Sequence, residues 1–219
     1  MEYISKNLGC DVALNAIVTT PTGFDKSKEK LPMIVFLHGA GERGNDLELI
    51  KINGIPKYFC SDPDYLGLRV ITVSPQCPDG YVWPNLAYQL KDFITSMIEE
   101  YNVNPDMVSI TGLSMGGFGT WEMICLCPEL FSAAAPICGG GLSWRIETAI
   151  PFPIYAFHDK NDGGVPFVYS QMMVNAVNNM GGNAILTAYE GCQRGGHDSW
   201  TPAYETTDLI KKLATAVRK

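Results

Sequence analysis

A strand-like run passes directly into a helical run at Gly112-Leu113-Ser114-Met115-Gly116-Gly117, and this junction limits the chain more than any other segment. Val108 to Leu113 has the composition of a strand, and Phe118 to about Leu126 has helical spacing. A strand can turn into a helix at one residue only through a strained backbone at the corner. Side chains two positions to either side would then collide, and Gly112 and Gly116 stand at those positions. Ser114 is the corner residue. Its hydroxyl is expected above the sheet edge, with the Met115 N–H beside it at the first turn of a helix, where the dipole favours negative charge. The competing reading is a glycine-rich turn whose serine caps the helix; the flanking strand and helix favour the strained corner.

The same alternation recurs along the chain. Pro32 to Leu37 is continuously apolar and fits a central strand buried on both faces. Arg69 to Ser74, Phe131 to Cys138, Ile154 to His158 and Ala184 to Glu190 read as further strands, and Cys10 to Thr20 as an edge strand. Helical patterns fall at Asn85 to Tyr101, Pro166 to Met180 (ending at Gly181-Gly182) and Pro202 to Val217, the last with Leu209, Leu213 and Val217 at core spacing. Strands alternating with helices predict an α/β fold around a mainly parallel sheet, with helices on both faces. Over residues 1–219 this is one domain of ordinary size. About a dozen residues, Gly139 to Pro151, separate two strands where a cap would be inserted. An open site with little or no cap is expected.

Composition narrows the partners. Hydrophobic residues make up 46% and charged residues 18%, a globular balance. The net charge of −7 argues against nucleic acid and against attachment to anionic lipid. No apolar run is long enough to cross a bilayer, so no membrane insertion is expected. The start, Met1 to Cys10, lacks a basic region followed by an apolar core. The seven cysteines (Cys10, Cys60, Cys77, Cys125, Cys127, Cys138 and Cys192) are odd in number and not tightly paired, which favours reduced structural thiols and a cytoplasmic location.

The chemistry-bearing residues cluster at strand ends. His38-Gly39-Ala40-Gly41 directly follows the buried run at Pro32 to Leu37, and its small residues let backbone N–H groups approach a reacting carbonyl. Ala40 is the expected second donor beside Met115, with Gly39 and Gly41 as neighbours that could take the role. His38 is expected to tie this loop to nearby backbone. Glu42 and Arg43 could contact substrate or form a salt bridge within the loop. The chain has three histidines. In the α/β-hydrolases, whose strand–corner–helix signature the Ser114 segment resembles, the chain order is serine, acid, histidine. His158 ends its strand too early to leave an acid before it. His197, in Gly195-Gly196-His197-Asp198 before the closing helix, is the expected base. Asp159 and Asp162 compete for the acid, with a mild local preference for Asp162, which precedes a glycine pair. Asp198 adjoins the base, and loop neighbours seldom face each other. Such a set needs no metal and no organic cofactor.

Taken together, His38-Gly39-Ala40-Gly41-Glu42-Arg43-Gly44, the Ser114 motif, Asp162-Gly163-Gly164-Val165-Pro166 and Gly196-His197-Asp198-Ser199-Trp200 resemble a branch of the α/β-hydrolase superfamily. This branch holds esterases often labelled predicted peptidases, near the phospholipase/carboxylesterase and feruloyl-esterase-like groups. The resemblance spans about Leu31 to about Tyr204. It implies Ser114, Asp162 and His197 as catalytic residues, the acid being the aspartate before Val165-Pro166. The strand-end motif in this branch usually reads His-Gly, where this chain has His158-Asp159. The implied reaction is hydrolysis of small to medium soluble esters, including acyl or feruloyl esters of carbohydrates. A serine peptidase of the same fold, or a binding protein that retains the fold without catalysis, are the alternatives. Trp83, Trp144 and Gln76 are candidate substrate-binding residues, each with structural cover of the core or loop as its competing reading.

Overall fold

The structure is a computed structural model that describes residues 1–7 and 12–218. Eight strands form one sheet: β1 (Glu2–Asn7), β2 (Ala13–Thr19), β3 (Met33–Leu37), β4 (Ile71–Gln76), β5 (Val108–Leu113), β6 (Ala133–Ile137), β7 (Pro153–Asp159) and β8 (Asn183–Tyr189). The helices are α1 (Gly54–Phe59), α2 (Ala87–Glu100), α3 (Met115–Leu126), α4 (Val168–Asn179), α5 (Trp200–Glu205) and α6 (Leu209–Thr215). The strand order is β1-β2-β4-β3-β5-β6-β7-β8. Strands β3 to β8 run parallel, while β1 pairs with β2 and β2 with β4 antiparallel.

Period-two alternation sorts the core into two layers. On β3, Met33, Val35 and Leu37 pack with residues of α2, α3 and α4, such as Phe93, Trp121 and Met173. Ile34 and Phe36 point the other way and pack with α1, α5 and α6, through Phe59, Trp200 and Leu213. Both sets are buried, which is why the run is continuously apolar. The polar side chains of β5 are satisfied on the α5–α6 side: Ser109 Oγ donates to the Leu213 carbonyl at 2.7 Å, and Thr111 Oγ1 lies 2.7 Å from the Tyr204 hydroxyl.

Two expectations are corrected. The opening segment is not a single edge strand: β2 lies between β1 and β4, with Ile17 opposite Tyr3 on one side and Ser74 on the other. The edge is β1, whose Glu, Lys and Asn side chains suit a solvated border. Cys10 falls outside the described residues. The closing helix is broken at Thr206-Thr207-Asp208, where Thr207 Oγ1 accepts the Leu209 N–H at 3.1 Å and restarts the helix as α6. Leu209 and Leu213 are core residues, whereas Val217 is exposed. Between β6 and β7 only a short turn at Ser143–Arg145 forms, and no cap covers the strand ends there. No helix among the described residues is long and apolar enough to cross a membrane.

Helix α3 enters the sheet between strand ends with almost no clearance. A Cβ on Gly116 would lie 1.9 Å from the Leu37 carbonyl oxygen, whereas one on Gly41 would meet nothing within 4 Å. Gly116→Ala is therefore expected to lose about 3 kcal/mol or to yield no folded protein, as overpacking against fixed backbone does. Gly41→Ala is expected to unfold in urea within about 0.5 kcal/mol of the parent. Equal urea midpoints for the two variants would refute this account of the junction.

Candidate active site

The corner between β5 and α3 is strained as its glycines imply. Ser114 has φ 52° and ψ −116°, a region that side chains rarely occupy. Its N–H donates to the Ile137 carbonyl at 2.9 Å, which pins the corner to the end of β6. The Met115 N–H opens α3 beside it.

Ser114 Oγ lies 2.9 Å from His197 Nε2, and His197 Nδ1 lies 2.8 and 3.0 Å from the two oxygens of Asp162. Three loops meet in this line. The His197 loop reaches it through left-handed backbone at Gly195 and Gly196, and a Cβ on Gly196 would lie 2.7 Å from the Asn161 carbonyl oxygen. Asp162 Oδ1 also accepts the Gly164 and Val165 N–H groups at 2.7 and 2.8 Å. Burial raises the Asp162 pKa, but donation from Val165, His197 and Gly164 outweighs it, so the carboxyl sits below its ordinary value.

Neither neighbouring aspartate joins the line. Asp159 accepts N–H groups from Asn161 at 2.8 Å and Cys192 at 2.7 Å, tying the acid loop to the base loop. Asp198 Oδ1 accepts the Thr201 N–H at the start of α5. Among the described residues, one group of potential metal ligands comes together, Cys138 with Asp162 and His197. Burial pushes the Cys138 thiol well above its usual range. The thiols of Cys60, Cys77, Cys125, Cys127, Cys138 and Cys192 are all free.

The Ala40 loop is fixed by buried polar groups. His38 Nε2 accepts the Cys77 N–H at 2.9 Å, so its proton is on Nδ1, which donates to the Gly39 carbonyl at 2.6 Å. Burial lowers the His38 pKa to about 4, keeping the ring neutral. Arg43 Nε donates to the Ala40 carbonyl at 3.0 Å and does not pair with Glu42, which instead accepts from Asn53 Nδ2 at 2.6 Å. Neither the Ala40 nor the Met115 N–H donates to another backbone carbonyl among the described residues.

No protein-family model matches the chain. A solved thermostable esterase superposes with a TM-score of 0.81 at 32% identity, covering 99% of this chain and 63% of that one. The chain has the α/β-hydrolase fold. Poly(3-hydroxyalkanoate) depolymerase C of Paucimonas lemoignei is 39% identical over 54 residues, 25% of this chain and 13% of the depolymerase. The bifunctional acetylxylan esterase/xylanase XynS20E of Neocallimastix patriciarum is 30% identical over 73 residues, 33% of this chain and 11% of that protein. The chain thus matches only a small part of these two curated relatives and under two thirds of the thermostable esterase.

The three candidate substrate-binding residues do not wall the site. Trp83 is fully buried, and its Nε1–H donates to the His38 carbonyl at 3.0 Å; the indole is core that props the Ala40 loop. Gln76 is also buried, with Nε2 donating to the Glu42 and Asp46 carbonyls at 2.9 and 2.8 Å. Trp144 is 72% exposed on the Ser143–Arg145 turn and lines neither cleft at Ser114.

Two clefts flank Ser114 instead. One holds His197 with Glu42, Asn53, Arg194 and Trp200. The other is lined by Val82, Pro84, Met115 and Phe118. Trp200 packs edge-on against the His197 ring at 5.5 Å between centroids, and the Arg194 guanidinium lies over the indole at 5.3 Å. Trp200 stands three residues after the expected base, at the start of the closing helix, and that placement was the available signal for it. Asn53 and Arg194 sit in loops with no sequence pattern to single them out.

His38 makes acid stability a readout of the Ala40 loop. Its folded pKa of about 4 lies below the ordinary 6.5, so its contribution is complete above pH 6.5 and is lost as pH falls toward 4. The expected loss is up to about 3 kcal/mol between those limits. Urea unfolding of wild type and His38→Gln from pH 7.5 to 4.5 checks this: the wild-type curve should fall more steeply, and parallel curves would refute it.

Proposed function

We propose that the chain is a serine ester hydrolase acting through Ser114, His197 and Asp162. The observation that carries this reading is the hydrogen-bonded line from Asp162 through His197 to a serine at a strained strand–helix corner. His197 Nε2 takes the hydroxyl proton as Ser114 Oγ bonds to the ester carbonyl carbon. Asp162 holds the Nδ1 proton and stabilises the imidazolium. The Ala40 and Met115 N–H groups receive the oxyanion. Collapse of the tetrahedral intermediate breaks the bond to the alcohol oxygen, which takes the proton back from Nε2. Water then repeats the sequence on the acyl-serine, releasing the acid and restoring the hydroxyl.

The substrate reading is a small to medium soluble ester, such as an acyl or feruloyl ester of a carbohydrate. The leaving oxygen must face His197, so the alcohol occupies the cleft of Glu42, Asn53, Arg194 and Trp200. These groups suit a hydroxyl-rich alcohol. The acyl part then lies along Val82, Pro84 and Phe118. The open strand ends support soluble rather than interfacial substrates, and the partial likenesses to a depolymerase and an acetylxylan esterase point to ester bonds.

A fluorophosphonate probe is expected to label wild type but not Ser114→Ala. Each of Ser114→Ala and His197→Ala should lose about 10⁴-fold or more in kcat/KM on p-nitrophenyl acetate while keeping the parent's thermal transition. Asp162→Asn should be far more damaging than Asp159→Asn. Labelling of Ser114→Ala would refute the nucleophile, and faster turnover of matched amides than of every ester would transfer the reading to a peptidase.

A further inference from the structure

Glu42 closes the short turn Ala40–Glu42 and lines the cleft that holds Ser114 and His197. Its side chain is only 10% exposed. One carboxyl oxygen is occupied: Oε1 accepts from Asn53 Nδ2 at 2.6 Å. Asn53 Oδ1 in turn accepts the Trp200 Nε1–H at 3.2 Å. An indole nitrogen only donates, so Trp200 fixes which end of the Asn53 amide faces it and leaves the NH2 end for Glu42. Three residues that line one cleft are thus joined by hydrogen bonds running in a single direction, from Trp200 through Asn53 to Glu42.

The second carboxyl oxygen has no donor. His38 Nδ1 lies 3.9 Å from Oε2, too far for a hydrogen bond, and its proton goes to the Gly39 carbonyl. Among the described residues, Oε2 receives no hydrogen bond. It is nevertheless close to the nucleophile. A Cβ on Gly39 would lie 3.1 Å from Glu42 Oε2 and 3.7 Å from Ser114 Cβ, so one bare glycine stands between them. Holding a nearly buried carboxyl oxygen without a donor costs free energy. A ligand hydroxyl entering the cleft would supply that donor.

We propose that Glu42 is a specificity-determining residue for the alcohol side of the substrate: Oε2 accepts a hydrogen bond from a free hydroxyl beside the ester, and Asn53 and Trp200 hold the carboxyl in place for it. This role rests on the ester hydrolysis proposed above and states what the alcohol must carry. The short path from Ser114 to Oε2 selects a hydroxyl on the carbon adjoining the ester-bearing carbon, not a remote one. The favoured substrates are therefore partly acylated glycols, polyols and sugars, ahead of simple alkyl esters and fully acylated polyols. Arg194 lines the same cleft and can donate to any ligand oxygen, ether or hydroxyl. Only an acceptor such as Oε2 tells a hydroxyl from an ether.

Hydrolysis of 2-hydroxyethyl, 2-methoxyethyl and propyl acetate tests this. The first two affect the leaving oxygen almost equally by induction, but only the first can donate; propyl matches hydroxyethyl in size. Wild type is expected to prefer the hydroxyethyl ester over each of the others by about 10-fold or more in kcat/KM. In Glu42→Gln the amide oxygen takes the hydrogen bond from Asn53, which turns an NH2 group toward the cleft. That group serves hydroxyl and ether alike, so the hydroxyethyl-to-methoxyethyl ratio should fall to within about twofold. Glu42→Leu should bring the hydroxyethyl-to-propyl ratio down similarly, and Glu42→Gln decides the matter if the leucine variant does not fold. A purely structural carboxyl would slow all three esters together and leave the ratios as they were. Unchanged ratios in Glu42→Gln, or wild-type ratios near one, overturn the role of Glu42 and leave ester hydrolysis standing. A wild type that turns over none of the three overturns both.

Discussion

The N-terminus of α3 touches the backbone of two strands at once, and the site depends on that contact. A Cβ on Gly116 would lie 1.9 Å from the Leu37 carbonyl oxygen, and one on Gly139 would lie 2.4 Å from the Gly117 carbonyl carbon. The helix start is thus wedged between the ends of β3 and β6. Because His38 follows Leu37 directly, the loop carrying Ala40 must leave β3 beside the Met115 N–H. Because Ser114 donates to Ile137, its strained backbone is held from the opposite side. A residue in that conformation costs about 1–3 kcal/mol. The buried layers on both faces of the sheet offset it, and a looser helix start would let the corner relax.

The three histidines divide according to water. His38 and His158 are buried, with both ring nitrogens occupied, and each clamps backbone at the strand ends. His197 has a side chain 23% exposed and is the one that reaches Ser114. A buried imidazole with two partners makes a rigid strut, because charging it would require desolvating a cation. An imidazole at a cleft can exchange protons. The same residue type thus fills structural and reactive positions, and burial separates them.

That separation explains what could be read from the sequence. Ser114 and His197 were legible because their surroundings are local: glycines at fixed offsets, a strand before, a helix after, and a flexible loop ahead of the last helices. The parallel strands were legible because burial on both faces removes polar residues from a run such as Met33–Leu37. Strand β1 was not, since a solvated edge carries no apolar period. The break before α6 was missed although Thr207 and Asp208 are residues of the capping kind. Trp83 and Gln76 each carry two readings in the sequence, substrate contact or structural cover. Their burial depends on packing against the His38 loop from distant parts of the chain, which no local pattern encodes.

The loop that carries His197 also forms one wall of its cleft, so contact with that wall reaches the His197 ring. Arg194, Gly195 and Gly196 have successive φ values of 54°, 65° and 86°. Glycine accepts this region freely, whereas an arginine there costs about 1 kcal/mol. The Arg194 guanidinium recovers part of that cost by lying over Trp200, whose edge in turn braces the His197 ring. A ligand that drew Arg194 off the indole would loosen the brace on the base, and one that pressed it down would tighten it. Under the proposed reaction, this short loop is where the alcohol portion of an ester would be felt at His197 Nε2.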